Sequence, residues 1–162
     1  MRFYNCHFYK GLNINKLIFL NFAHMVFTGR LNYPVLNRKS KIHGTGAFAK
    51  EFIPPRKKIG SLSGSIISKA EARRKSRNHK CVAIVELWNG KAIDCSANSN
   101  ELRYINHSCE PNTFMRTINY HVEFYSLKSI QPDDELTCNY GVTHHEGKRK
   151  CSCGAAKCKG CI

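Results

Sequence analysis

A stretch of ten residues, 103–112, constrains the fold of this chain more than any other. It concentrates polar side chains, one thiol and one proline between segments that have the composition of β-strands. A helix is not expected here, because Pro111 lacks an amide donor and disfavours the helical conformation at Glu110. Buried polar groups need hydrogen-bond partners. We therefore predict a buried or half-buried polar connection that binds a ligand or a metal, or forms a fully bonded network.

The rest of the chain is predicted to consist mainly of short strands. Lys69–Lys80 is basic and predicts one solvated helix. Asn89-Gly90 predicts a tight hairpin between the strands on either side of it. Alternating or β-branched patterns predict strands at Ile59–Ile67, Cys81–Trp88, Lys91–Cys95, Tyr120–Leu127 and Leu136–Tyr140.

The nine cysteines are distributed unevenly, and four of them lie at Cys151, Cys153, Cys158 and Cys161. A disulfide scaffold would spread its pairs over the fold, so we favour metal ligation by thiolates in a reducing compartment. The pattern C-x-C-x4-C offers three of the four ligands that tetrahedral zinc needs. The fourth ligand is either Cys161, which is close in sequence, or Cys109, which would clamp the tail over residues 103–112.

The chain is strongly basic, with 26 Lys and Arg residues against 11 Asp and Glu, giving a formal net charge of +15. Such a charge favours a polyanionic partner or a membrane surface. The length of 162 residues and an apolar fraction of 42% fit one folded domain. We interpret residues 1–34 as an appended or poorly ordered segment. Leu17–Phe27 within it weakly resembles a secretion signal, but it is too short and too polar to span a bilayer, and no membrane partner is expected.

Four tracts together resemble, in the same order, the signature tracts of the SET domain with its post-SET zinc tail, a family of lysine methyltransferases. The resemblance extends over about residues 39–162. The tracts are Ile42–Ala49, Asn100–Asn112, Glu135–Gly141 and Cys151–Ile162.

The resemblance implies a mainly β fold of the β-clip type, with several small sheets, few short helices and a knot-like threading of residues 103–112 past 136–140. It divides the chain into an N-terminal extension at 1–34, a SET domain at 35–146 and a zinc-binding segment at 147–162. It also implies an intracellular enzyme that transfers methyl from S-adenosyl-L-methionine to the ε-amine of a protein lysine.

The resemblance further implies specific residue roles. Tyr140 corresponds to the catalytic tyrosine, and it also belongs to the cofactor-binding set. The other implied cofactor-binding residues are Gly44, Thr45, Gly46, Arg103, Asn106 and His107, with the His107 backbone facing adenine. The implied Zn²⁺ ligands are Cys109, Cys151, Cys153 and Cys158, which leaves Cys161 as a spare thiol.

Two positions depart from the family's pattern. Leu62 stands where family members commonly have a channel tyrosine, so weakened or lost catalysis is one expectation. Cys138 stands two residues before the catalytic tyrosine, where Phe or Tyr is usual and where side-chain size is associated with the number of methyl groups added. The smaller side chain leaves more room beside the amine and predicts di- or trimethylation.

Several alternatives for partners and function stay open. A histone tail or nucleosome is the first substrate expectation and a non-histone protein the second, with electrostatic contact to DNA through Arg73, Arg74, Lys75, Arg77 and Lys80. Such a protein would act in the nucleus on chromatin if eukaryotic, and otherwise in the cytoplasm or in a host cell.

The rival functions are a catalytically impaired SET-like module that binds zinc and cofactor, and a basic zinc-knuckle protein that binds nucleic acid. The adjacent His144 and His145 are interpreted as loop residues.

Overall fold

The computed structural model describes residues 3–4, 25–78, 83–88, 90–143 and 147–162. Within these residues the chain forms twelve strands, one α-helix and one 3-10 helix, which confirms the predicted mainly β class. The α-helix α1 is Lys69–Asn78, and the 3-10 helix is Glu101–Tyr104. The strands are β1 Phe3–Tyr4, β2 Val26–Phe27, β3 Val35–Lys39, β4 Thr45–Ala49, β5 Lys58–Ser61, β6 Gly64–Ser68, β7 Ile84–Glu86, β8 Lys91–Asp94, β9 Asn106–His107, β10 Thr113–Ile118, β11 His121–Ser126 and β12 Glu135–Cys138.

The strands form two sheets. A five-stranded sheet has the order β1-β7-β8-β6-β2, and a seven-stranded sheet has the order β3-β4-β12-β10-β11-β5 with β9 also paired to β12. The predicted hairpin is confirmed as the antiparallel pair β7–β8, although Asn89, Cys81 and Lys80 lie outside the described residues. No described helix has the length and apolar character needed to cross a bilayer.

Three sequence predictions are corrected by the structure. The predicted strand Ile59–Ile67 is two strands, because Leu62 and Ser63 interrupt the pairing and direct β5 and β6 into different sheets. The last strand ends at Cys138, so Tyr140 lies beyond it. The 3-10 helix includes Arg103 and Tyr104, where no helix was expected, and β3 and β10 are among the strands outside the predicted ranges.

The segment just before residue 35 packs against the folded domain. The backbone N–H groups of Gly29 and Arg30 donate to the hydroxyls of Ser63 and Ser61 at 2.8 and 3.0 Å. The rest of the predicted N-terminal extension at 5–24, which includes most of the signal-like segment, lies outside the described residues. The division of the chain into three parts stays a prediction.

The polar connection threads around the last strand. Cys138 of β12 pairs in parallel with both His107 of β9 and Thr113 of β10. Because a strand has only two edges, β9 and β10 lie on opposite edges of β12, and residues 108–112 cross from one edge to the other. This geometry is the knot-like threading predicted from the family resemblance, and it brings Asn106 and His107 next to the residues that follow β12.

A continuous apolar core supports this arrangement. Its largest fully buried side chains include Ile53, Ile59, Leu102 and Leu136, and Phe124 is 2% exposed. These residues come from both sides of the polar connection, so the core fixes the position of the threaded segment. Asn106, His107 and Ser108 are themselves buried, as predicted for a polar connection.

Candidate functional site

Four cysteine sulfurs form a compact cluster at the end of the polar connection. The Sγ atoms of Cys109, Cys151, Cys153 and Cys158 all lie within 4.8 Å of one another, and those of Cys109 and Cys151 are 4.0 Å apart. Zinc bound tetrahedrally at about 2.3 Å would place its sulfur ligands about 3.8 Å apart. The cluster therefore has the composition and spacing of a zinc site with four cysteine ligands. Cys161 is exposed and is not among the four.

The clustered thiols shift one another's pKa values. Burial, together with hydrogen bonding to the neighbouring thiols, raises the pKa of Cys151 to about 12. Burial opposes ionisation of Cys153 too, but hydrogen bonds from the backbone of Cys109 and Ala155 lower its pKa to about 6. Four thiolates at this spacing repel one another, and a divalent cation would offset that repulsion.

Tyr140 is buried directly beside the polar connection. Its hydroxyl donates to the Ile105 carbonyl at 2.7 Å, and its backbone N–H donates to Nδ1 of His107 at 3.2 Å. The rings of Tyr140 and His107 meet edge to face with centroids 5.4 Å apart. Burial raises the pKa of the Tyr140 phenol above its ordinary value, so the hydroxyl stays protonated at neutral pH.

Tyr140 lines two cavities. The first has a volume of about 170 Å³ and is lined by residues of the polar connection and of the C-terminal segment at 147–162. The second is an apolar groove of about 340 Å³, which is also lined by Cys138, Phe114, Met115 and Leu127. We call these the tail cavity and the apolar groove. The lining of the tail cavity consists of Ile42, His43, Asn106, His107, Tyr140, Thr143, Arg149, Lys150, Cys151, Ser152, Cys153 and Ile162.

A carboxylate that the sequence did not single out organises one side of the site. Oε1 of Glu135 accepts hydrogen bonds from Oγ of Ser40 at 2.7 Å and from Nδ2 of Asn106 at 2.8 Å. The Asn106 amide also donates to the carbonyls of His43 and Thr45 at 3.0 and 3.2 Å. The network thus ties the loop before β4 to both β9 and β12. The position of Glu135 at the start of its signature tract was the available signal.

The C-terminal segment at 147–162 contacts the same loop. Oγ of Ser152 donates to the Ile42 carbonyl at 2.8 Å, and Nη2 of Arg149 lies 2.9 Å from Nε2 of His43. These two tail residues flank the cluster member Cys151. Ordering of the four sulfurs therefore also positions one wall of the tail cavity.

The predicted cofactor-binding residues are only partly brought together. Asn106, His107 and Tyr140 line the tail cavity, but Arg103 is not among its described lining residues and instead donates to the Ser96 carbonyl at 3.0 Å. The loop contributes Ile42 and His43 to the lining in place of the predicted residues 44–46. The roles of Arg103 and of residues 44–46 stay predictions, and His144 and His145 lie outside the described residues.

The two departures from the family's pattern have different surroundings. Leu62 is 2% exposed and belongs to the apolar core, so it offers no hydroxyl to the site. Cys138 lines the apolar groove together with Tyr140, and burial raises the pKa of its thiol to about 12. Cys138 therefore lines the groove with a small side chain whose thiol is uncharged.

Comparisons with known proteins agree with this geometry. Residues 44–141 match the family model described as SET domain. Histone-lysine N-methyltransferase 2B of Homo sapiens is 31% identical over 131 residues, which are 75% of this chain and 5% of that protein. Histone-lysine N-methyltransferase Set2 of Drosophila melanogaster is 35% identical over 130 residues, which are 74% of this chain and 6% of that protein. The chain thus spans under a tenth of the length of these curated relatives.

A solved structure supports the same assignment. A humanized mutant of the Chaetomium thermophilum Polycomb Repressive Complex 2, bound to an inhibitor, is similar with a TM-score of 0.62 and 28% sequence identity. The similarity covers 67% of this chain and 15% of the matching chain. The family model covers more than half of the sequence, and the threaded segment and the four-sulfur cluster lie where the signature tracts predict them. The chain therefore belongs to the SET domain family.

Proposed function

We propose that this protein is a protein-lysine N-methyltransferase that uses S-adenosyl-L-methionine and acts on a histone lysine. The observation that carries the proposal is that Tyr140 lines both the tail cavity and the apolar groove. A methyl transfer between two substrates needs a donor and an acceptor to approach one reacting centre along a line. A buried phenol that lines two cavities suits that requirement.

The lining of the tail cavity suits the proposed cofactor. Arg149 and Lys150 bring positive charge that pairs with an amino-acid carboxylate, and Ile42 and Ile162 offer apolar surface to a base. Asn106 completes the polar side. When bound there, the cofactor supplies an activated methyl group on a sulfonium, and Zn²⁺ held by the four cysteines supplies structural bonds to the tail.

Tyr140 is assigned an orienting role and not that of a base. Its phenol is protonated and donates to the Ile105 carbonyl at 2.7 Å, so the hydroxyl oxygen has a fixed position. Orientation of reacting groups can contribute about 7–11 kcal/mol to the lowering of a barrier. Tyr140 therefore acts by holding the geometry in which an amine approaches the methyl group.

The apolar groove favours the reactive form of a lysine. Among the described residues that line it, all are uncharged. Desolvation disfavours the charged ammonium and lowers the pKa of a lysine that enters. The groove thus promotes the neutral amine, which is the nucleophilic form. The small Cys138 at its wall leaves space for an amine that already carries methyl groups.

Histone and chromatin are the proposed substrate and location because the similar proteins are named histone-lysine N-methyltransferases. The net charge of +15 opposes long-range approach of a basic histone tail. Contact with nucleosomal DNA would offset this repulsion. Arg73, Arg74 and Arg77 of α1 are exposed and available for it, whereas Lys75 pairs with Asp94 at 2.7 Å.

A second candidate function follows from Leu62. If the channel hydroxyl that is replaced there is required for turnover, the protein is a module that binds cofactor and zinc without transferring methyl. Both candidates predict cofactor binding, and only the enzyme predicts a methylated product.

The test is transfer of radiolabelled methyl from S-adenosyl-L-methionine to histones and to nucleosomes. The wild-type protein is expected to label a histone, and Tyr140→Phe to lose labelling while it still binds S-adenosylhomocysteine. Binding without labelling by the wild type would support the second candidate. Loss of both binding and labelling in the zinc-loaded wild type would contradict both candidates.

A further inference from the structure

A cavity away from Tyr140 lies where the five-stranded sheet approaches β10. It has a volume of about 310 Å³ and is lined by Lys69, Glu86, Leu87, Trp88 and Thr117. Lys69 begins α1, Glu86 ends β7, and Thr117 belongs to β10. The cavity is distinct from the tail cavity and from the apolar groove, since it shares no described lining residue with either.

Glu86 makes the cavity chemically unusual. Its side chain is 6% exposed, and its Oε2 pairs with Nζ of Lys69 at 3.0 Å. Its other oxygen, Oε1, is buried and has no hydrogen-bond partner among the described residues. A buried carboxylate oxygen is expected to have a donor. The cavity therefore holds one strong acceptor that the described residues do not satisfy.

Trp88 supplies the second feature. Its side chain is 75% exposed although it adjoins the buried residues Glu86 and Leu87. The face of an indole attracts a cation, and arginine is the cation that most often uses such a face. A planar guanidinium can stack on an aromatic ring and donate to a carboxylate at the same time. An ammonium fits less well, because it is a compact point charge and lacks the plane that stacks on the indole.

We propose that this cavity binds an arginine side chain of the protein substrate, with the guanidinium donating to Oε1 of Glu86 and stacking on Trp88. The identity of the partner as a substrate rests on the proposed function, whereas the arginine site itself does not. A protein with a net charge of +15 repels a basic substrate segment. The Glu86 carboxylate would give such a segment one favourable local contact.

The position of the cavity along β10 fits a substrate that also reaches Tyr140. Thr113 of β10 pairs with Cys138, which is two residues before Tyr140. Thr117 is four residues further along β10, which corresponds to about 13 Å in a strand. An extended peptide covers that distance with about four residues. We therefore expect the recognised arginine to lie within about four residues of the methylated lysine.

The experiment uses the fluorescence of Trp88, which is the single tryptophan of the sequence. The zinc-loaded full chain is titrated with N-acetylarginine amide and, separately, with N-acetylcitrulline amide, which has a similar shape and no charge. A saturable change in fluorescence is expected with the arginine probe. The citrulline probe is expected to bind at least tenfold more weakly.

Two substitutions in the cavity are expected to act in opposite directions. Glu86→Gln should weaken arginine binding at least tenfold, whereas Lys69→Gln should tighten it severalfold by removing the competing cation. A general loss of folding cannot produce both effects. The matched control is Asp133→Asn, which removes an exposed carboxylate paired with Arg38 and should leave the titration unchanged.

The outcomes separate this inference from the proposed function. Absence of a saturable response, equal binding of both probes, or unchanged arginine binding in Glu86→Gln would overturn the arginine site even if histones are methylated. A saturable, charge-dependent response in a protein that methylates no histone would retain the site and refute only the proposed function.

Discussion

Replacement of Gly46 by alanine tests the network that holds the loop before β4. A Cβ at this position would lie 2.4 Å from Oε1 of Glu135 and 3.0 Å from Cε2 of Phe48. The same carboxylate oxygen accepts from Ser40 and Asn106. The carboxylate must move, and its Oε2 can retain Ser40, so the bond to Asn106 is the one expected to be lost.

The magnitude follows from these contacts. A hydrogen bond to a charged group contributes about 1.5–3 kcal/mol, and mild overpacking costs at least about 1 kcal/mol. Replacement of glycine also reduces the entropy of the unfolded chain, which offsets about 0.4–1 kcal/mol. We expect Gly46→Ala to lower the free energy of unfolding by about 2–3 kcal/mol, measured by urea denaturation of the zinc-loaded protein.

The matched control is Gly44→Ala. Gly44 has a φ of +51°, but a Cβ there has no other atom within 4 Å. Only the strain of the left-handed conformation applies, about 1–2 kcal/mol per residue, less the same entropic offset, so the expected loss is about 1 kcal/mol. Gly46→Ala should therefore be the more harmful change even though only Gly44 has a positive φ.

A double-mutant cycle identifies the cause. If the clash with Glu135 is responsible, Gly46→Ala should cost much less in a Glu135→Ala background, where the carboxylate is absent. Equal costs of Gly46→Ala in both backgrounds, or a larger cost for Gly44→Ala than for Gly46→Ala, would refute the reasoning.

Three further predictions concern the metal, the product and the nucleosome. Cys158→Ser should lose zinc and lower the melting temperature, whereas Cys161→Ser, outside the four-sulfur cluster, should retain one zinc per chain by metal analysis; equal zinc contents would contradict the assigned ligands. Mass spectrometry with excess cofactor should detect di- or trimethyllysine, because Cys138 leaves room in the groove, and a product that stays monomethylated would refute this. Replacement of Arg73, Arg74 and Arg77 by glutamine should weaken nucleosome binding and reduce the salt dependence of its affinity by roughly one unit of log–log slope per lost phosphate contact, and an unchanged slope would exclude α1 from the DNA contact.

Much of the fold could be predicted because the local pattern of apolar residues agrees with the positions that the tertiary structure buries. The alternation in Tyr120–Leu127 corresponds to β11, whose inward residues Val122 and Phe124 are buried. The edge strand β3 is different, because only Val35 of its five residues is buried. Its pairing with β4 is set by the tertiary structure. The residues of β3 show no alternation of buried and exposed positions from which the strand could be predicted.

The site shows the same division. Cys109 is 42 residues from Cys151, and residue spacing alone left it in competition with Cys161; the family resemblance selected Cys109, and the clustered sulfurs agree. Arg149 and Glu135 were not singled out, because their importance comes from contacts with His43 and Asn106 that span long stretches of sequence. Lysines and arginines abound in this chain, so composition could not distinguish a cavity residue from a solvated one.

Binding of S-adenosylhomocysteine before and after removal of zinc tests the central claim most directly, namely that one metal ion held by Cys109 and the tail closes the cavity beside Tyr140. Calorimetry of the zinc-loaded chain should show one binding site, which chelation abolishes and added zinc restores. Unchanged affinity in the zinc-free protein would contradict the account.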